Sequence, residues 1–359
     1  MKKKLALLLS TVLVMSSVLV GCGGSNEAAQ EETNNETTTQ TTEGETTEDT
    51  VAEGALKTGL AVTVSVSGSK DAAEEDGAAQ SEMSFAAVTV DAEGKIVACT
   101  IDALQTKITF SKDGKITTAP DTQFQTKNEL GDAYGMKKAS AIGKEWNEQA
   151  DAFAAYCVGK TVDEVTVIAM TEGKVDDADL AASCSLYIGG FQAIVAKAVA
   201  NATESSAQPG DKIGVGVSTS IASSKDATAD ADGLAQAYTT ISAVTTNEEG
   251  KITSSVIDAV QANVNFDATG KITSDITAEV PTKNELGDAY GMKKASAIGK
   301  EWNEQAAAYA AYTVGKTVDE VNQTAVTEGV PSDTDLAASV TLHIADFNNV
   351  IAKAAAAAK

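Results

Sequence analysis

Apolar residues alternate with polar or small ones at Val62, Val64 and Val66, and again at Ala86, Val88 and Val90. A period of two sends successive side chains to opposite faces of a sheet, so both segments predict strands. Glu93-Gly94 supplies a turn, 95–104 is rich in β-formers, and Ile108 and Phe110 alternate before a turn at Asp113-Gly114. The period then changes. From Met136 the residues Ala139, Ile142, Trp146, Ala150, Phe153 and Cys157 fall three or four apart, which predicts one amphipathic helix. Lys144 and Glu148 have the spacing of a surface ion pair on it. Gly143 in a helix interior costs about 1 kcal/mol relative to Ala, so a close packing contact is expected there. Gly159 is placed to end the helix, and Thr161-Val162-Asp163-Glu164 has capping-box spacing for a short one. A last strand over 183–188 and a closing helix over 191–199 complete an α+β order.

The whole plan then recurs. The stretch TKNELGDAYGMKKASAIGKEWNEQA at 126–150 returns letter for letter from 282, an offset of 156. The same offset carries Gly94-Lys95-Ile96 onto Gly250-Lys251-Ile252 and Asp179-Leu180-Ala181-Ala182-Ser183 onto Asp335-Leu336-Ala337-Ala338-Ser339. This is a tandem duplication. Its copies span 58–203 and 211–359, joined through a Ser- and Pro-Gly-containing linker at 204–210. Strands are expected in the second copy over 213–220, 239–245, 252–260 and 264–266. One extra residue separates Lys225 from Asp232 relative to Lys70 and Asp76, so that loop is expected on the surface.

Ahead of the repeats, Lys2–Lys4 precede an apolar run over 5–18, and Leu19-Val20-Gly21-Cys22 resembles a bacterial lipobox. The expectation is a signal peptide over 1–21, lipidation of Cys22 by lipoprotein-processing enzymes, and attachment through lipid to the extracellular side of the cytoplasmic membrane. Residues 22–57 are rich in Glu, Thr, Asn and Gln and read as a disordered acidic tether.

The formal net charge is −24, which loss of Lys2–Lys4 takes to −27, and the chain contains no arginine. Such a surface repels phosphate backbones, which excludes nucleic acid as a partner. Beyond Cys22, the cysteines Cys99, Cys157 and Cys184 all lie in copy one, where copy two has Ser255, Thr313 and Val340. A fold whose second copy needs none of them is not a disulfide scaffold, and Cys99 and Cys157 read as small core residues. The single histidine, His343, matches Tyr187, reads as flanking a strand and has no triad partner. No hydrolytic or metal site is evident.

The segment Asp335-Leu336-Ala337-Ala338-Ser339-Val340-Thr341, followed by a helix over 346–358, is similar to the acceptor motif of the bacterial FMN-binding domain family. There Asp-x-x-Ser-Gly-Ala-Thr precedes the last helix, and a flavin transferase esterifies FMN to the Thr. Copy one offers Asp179-Leu180-Ala181-Ala182-Ser183-Cys184-Ser185, and both copies depart from Ser-Gly-Ala. The resemblance implies FMN on Thr341 and Ser185, with Asp335 and Asp179 alongside, and redox partners for an extracellular electron carrier. It makes Trp146, Trp302, Tyr134 and Tyr290 candidates to stack on the flavin ring. A non-catalytic surface module that binds a small ligand or an envelope protein stays open beside it.

Overall fold

A computed structural model of the chain describes Gly54 and residues 56–359. The expected signal peptide, Cys22 and nearly all of the tether lie outside the described residues. Among the described residues no helix is long and apolar enough to cross a membrane.

Each copy opens with an antiparallel meander. In copy one this is β1 (Lys57–Ser65), β2 (Gly77–Val90) and β3 (Ile96–Phe110), with Val62 opposite Phe85 and Phe85 opposite Asp102. The short helix α1 (Lys127–Leu130), the longer α2 (Trp146–Cys157) and α3 (Val162–Thr166) follow. A two-residue ribbon, β4 (Met170–Thr171) and β5 (Lys174–Val175), turns on Glu172-Gly173, both at positive φ. Then come α4 (Ala178–Ala181) and α5 (Gly189–Ala200).

After β6 (Thr203–Glu204), copy two repeats the order. It runs β7 (Lys212–Ser220), β8 (Gly233–Thr246), β9 (Ile252–Phe266), α6 (Lys283–Leu286), α7 (Trp302–Thr313) and α8 (Val318–Asn322). It closes with β10 (Val326–Thr327), β11 (Val330–Pro331), α9 (Thr334–Ala337) and α10 (Ala345–Ala357). The class is α+β.

The strands are apolar on both faces, and the two faces serve different cores. On β2, Ala86, Val88 and Val90 turn toward Trp146, Phe153, Phe191 and Ile194 of their own copy's helices. Met83, Phe85 and Ala87 turn the other way, into a core shared with Ile213, Val217, Ile241 and Phe266 of the second copy. The layers are therefore helix, sheet, sheet, helix, with the two sheets back to back. Period two on β2 sorts one strand's side chains between these two cores.

The closing helix of each copy lies directly on its first strand. A Cβ on Gly59 would stand 2.0 Å from the Ala198 carbonyl oxygen, and one on Gly214 would stand 2.1 Å from that of Ala354. Only glycine allows that approach.

The acidic loops hold the copies together. Asp71 accepts from the Ile272 N–H at 2.7 Å and Asp226 from the Ile116 N–H at 2.9 Å. The Ala72 and Ala227 N–H groups bond the Gly270 and Gly114 carbonyls of the opposite copy, each at 2.8 Å. The loop tips are exposed, as the insertion implied, while their bases are intramolecular clasps. The linker is docked as well. Thr203–Glu204 pairs with the start of β1, and the Leu56 N–H bonds the Ala207 carbonyl at 2.8 Å.

Two expected elements are different in the structure. The helix from Met136 starts only at Trp146, with turns before it. Gly143 sits at φ +65, and a Cβ added there would meet nothing within 4 Å, so conformation and not packing requires glycine. Lys144 precedes the helix, and Glu148 instead accepts from the Glu145 N–H at 2.8 Å in a capping box. The strand expected at 183–188 is an irregular segment. Cys184 and Ile188 both turn inward because they plug the helical core, without a partner strand. The capping box at Thr161 is present as expected, and Gly159 follows the end of α2 at φ +84.

Candidate functional site

The segments 179–185 and 335–341 each hang from a one-turn helix. Asp177 caps α4 by accepting from the Leu180 N–H at 2.9 Å, and Asp333 caps α9 by accepting from Asp335 and Leu336, each at 3.1 Å. Leu180 and Leu336 are buried beneath those turns. The Cys184 and Val340 N–H groups then return to the Leu180 and Leu336 carbonyls at 2.7 and 2.8 Å. This tucks Cys184 and Val340 into the core and leaves the next residue, Ser185 or Thr341, half-buried at the rim.

The two hydroxyls are held alike. Thr341 donates both its N–H (2.9 Å) and its hydroxyl (3.1 Å) to Oε1 of Gln305. Ser185 donates the same pair to Gln149, at 2.8 and 3.0 Å. Both glutamines are fully buried. Their amide nitrogens donate to Ser296 and the Lys300 carbonyl in copy two, and to Ser140 and the Lys144 carbonyl in copy one. Gln149 and Gln305 lie inside the identical 25-residue stretches, so the repeated segment is what fixes the Ser185 and Thr341 hydroxyls. The sequence signal was a Gln between Trp146 and Ala150 on the inward face, kept in both copies.

Asp179 and Asp335 are exposed in the first turns of α4 and α9. Among the described residues their carboxylates do not bond Ser185 or Thr341. The carboxylates with a local task are Asp177 and Asp333, two residues earlier. The Leu180 N–H and the Tyr156 hydroxyl hold Asp177 below the usual carboxylate range. Lys300 brings positive charge to the rim of copy two, its Nζ 3.5 Å from the Ser339 hydroxyl. In copy one, burial pushes the Cys184 thiol up, while the Leu186 N–H and Lys144 pull it back.

The four aromatic residues expected to stack on a flavin each contact side chains of their own copy. Trp146 and Trp302 are buried, edge-on to Phe191 and Phe347 with centroids 5.8 and 5.7 Å apart. Lys127 lies 4.9 Å from the centroids of both Tyr134 and Trp146. Lys283 lies 4.5 Å from Tyr290 and 4.8 Å from Trp302, and donates to the Tyr238 hydroxyl at 2.8 Å. Burial brings Lys283 down to about 8 against the pull of Asp258, and burial raises the Tyr238 phenol. Each lysine is thus held over aromatic rings of its own copy. Tyr187, two residues after Ser185, is exposed and packs over Gly173. His343 takes its place over Gly329 in the turn between β10 and β11, so it flanks that two-strand ribbon from the irregular segment before α10.

A separate cleft of about 400 Å³ lies where β3 and β7 run side by side, under the end of α10. Asp102, Asn128, Glu129 and Asp151 line it from copy one, Val217 and Lys353 from copy two. Lys353 pairs with Glu129 at 2.7 Å, and the related Lys197 pairs with Glu285 at the opposite seam. At that opposite seam the Thr58 hydroxyl donates to Ser254 at 2.9 Å, and the docked linker covers the strands.

A chlorophenol reductase of Desulfitobacterium hafniense is 48% identical to this chain over 56 residues. The match covers 16% of this chain and 16% of that protein. No protein-family model matches the chain, and no solved structure does.

Proposed function

We propose that this chain is a lipid-anchored protein on the extracellular side of the membrane whose two FMN-binding-like copies carry electrons, with FMN esterified to Thr341 and Ser185. The observation that supports it most is the same in both copies. A half-buried hydroxyl, six residues after an exposed Asp, is oriented by a fully buried Gln amide.

The donor set fits a phosphate ester. The hydroxyl is the nucleophile such a bond requires, and the Lys300 ammonium stands close enough to the acceptor loop to offset phosphate charge. The exposed carboxylates of Asp335 and Asp179 face an incoming flavin transferase without internal partners to leave. Bound FMN supplies one- and two-electron carriage. The 56-residue likeness to a protein named as a reductase is consistent with redox work.

Co-expression with a flavin transferase, read by intact mass and in-gel flavin fluorescence, tests the reading. The wild type gains FMN, Thr341→Val loses the copy-two label, and Ser185→Ala loses the copy-one label. Colourless, unmodified protein from the native host under both respiring and fermenting growth overturns it. That outcome favours a non-catalytic surface module, for which the cleft beside Asp102 is the ligand site.

A further inference from the structure

Copy one carries a pair of thiols that copy two lacks. Cys157 ends α2 and is fully buried, and Cys99 lies half-buried on β3 against the same core. Both are free, they share one buried cluster, and the Cys157 sulfur is the largest influence on the Cys99 thiol. The backbone holds them there. The Gly159 N–H bonds the Ile96 carbonyl at 2.8 Å and the Ile96 N–H bonds the Lys160 carbonyl at 2.9 Å, which clamps the end of α2 to the start of β3.

Copy two has the same clamp, Gly315 to Ile252 and Ile252 to Lys316, each at 2.8 Å. There the paired positions are Ser255 and Thr313, and Thr313 donates back to the Ala310 carbonyl at 2.7 Å. The fold therefore does not need sulfur at this place. Two adjacent cysteines that packing does not require are a chemical feature of copy one.

We propose that Cys99 and Cys157 form a reversible dithiol–disulfide couple, a two-electron redox site independent of any flavin. With a small organic disulfide as oxidant, the thiolate of the more accessible Cys99 attacks one sulfur and expels one thiol. Cys157 then gives up its proton and attacks Cys99 Sγ, expelling the second thiol. Two S–H bonds and one S–S bond are lost, one S–S bond and two new thiols form, and two electrons pass to the oxidant. An exported protein meets such oxidants outside the cytosol. The hydrogen bond from Cys157, then burial and the second sulfur's charge, push the Cys99 thiol well up. Cys99 is thus protonated near neutrality, and its exchange accelerates by up to about tenfold per pH unit toward the alkaline side. Closure staples α2, which carries Gln149, to β3.

The test uses the full chain with Cys22→Ser, reduced and then exposed to oxidised glutathione at about pH 8.5. The expected product loses about 2 Da, keeps Cys184 as its free thiol, and yields a peptide linking Cys99 to Cys157. Cys99→Ser and Cys157→Thr install the residues copy two tolerates, so both fold and neither loses that mass. Folded protein that retains all three thiols, or that bridges through Cys184, overturns the proposal.

Discussion

Phe110 and Phe266 stack face to face across the junction of the two copies, ring centroids 4.2 Å apart and planes 5° from parallel. Each closes its copy's third strand, and both are fully buried in the core the two sheets share. Phe266→Ala removes one ring and leaves its partner facing a cavity. The expected loss is about 3–5 kcal/mol of unfolding free energy, seen as a shift of a single denaturation transition. A drop under about 1 kcal/mol would mean the two sheets do not depend on each other.

The shared core also bears on separated copies. A fragment of 56–203 exposes Leu60, Phe85, Leu104 and Phe110 on one sheet face, and one of 211–359 exposes the matching face. Mixed in equal amounts, the two should form a one-to-one complex by sedimentation, because the Asp71 and Asp226 clasps and the apolar faces are complementary. Two fragments that stay monomeric together would contradict the back-to-back packing.

Asp102 and Asp258 are buried opposite Phe85 and Ile241 and are each raised from 3.8 to about 6. Burial is the cause, opposed by the Thr126 or Thr282 hydroxyl and by backbone N–H groups. An acid with a raised folded-state pKa binds its proton more tightly when folded. Stability should therefore increase as pH falls from about 7 to about 5, by on the order of 1–3 kcal/mol per residue at most. The Asp102→Asn, Asp258→Asn double variant should show a flatter profile over that window in denaturant titrations. Equal slopes for variant and wild type would assign the dependence to the surface charge.

The meander was legible because period two is a local property of the chain. What strand alternation could not convey is that both faces are buried, since residues such as Met83 and Val215 meet only after the copies dock. The helix over-extension at Met136 came from Ala139 and Ile142 falling on a helical spacing by composition alone. The turns there are set by Gly135 and Gly143 at positive φ, which sequence does not reveal. The resemblance singled out Thr341 and Ser185 by their spacing from Asp335 and Asp179. The residue that holds both hydroxyls, Gln149 or Gln305, stands three after Trp146 or Trp302, but a polar side chain beside an apolar stripe reads as surface until its repetition in both copies is weighed.

Gly143 and Gly299 both adopt φ +65 in open space. Gly143→Ala meets no atom and should still lower stability by about 1 kcal/mol, from backbone strain alone. Asn at the same position tolerates that conformation and should restore part of the loss. If Ala and wild type melt together, the turn ahead of α2 relaxes freely.

Gln305 is the residue through which the repeated stretch reaches Thr341, and it separates positioning from chemistry. Gln305→Leu keeps the volume but leaves the Thr341 N–H and hydroxyl without their acceptor and the Lys300 carbonyl without its donor. Stability should fall by about 1–3 kcal/mol, and FMN incorporation at Thr341 should fall with it, since the hydroxyl is no longer held at the rim. Thr341→Val retains the N–H bond to Gln305, so it should lose the flavin while melting close to wild type. The contrast is read by thermal denaturation beside in-gel fluorescence on the same preparations. A Gln305→Leu protein that folds and loads FMN at Thr341 as well as wild type would show that the transferase, not the buried amide, orients the acceptor.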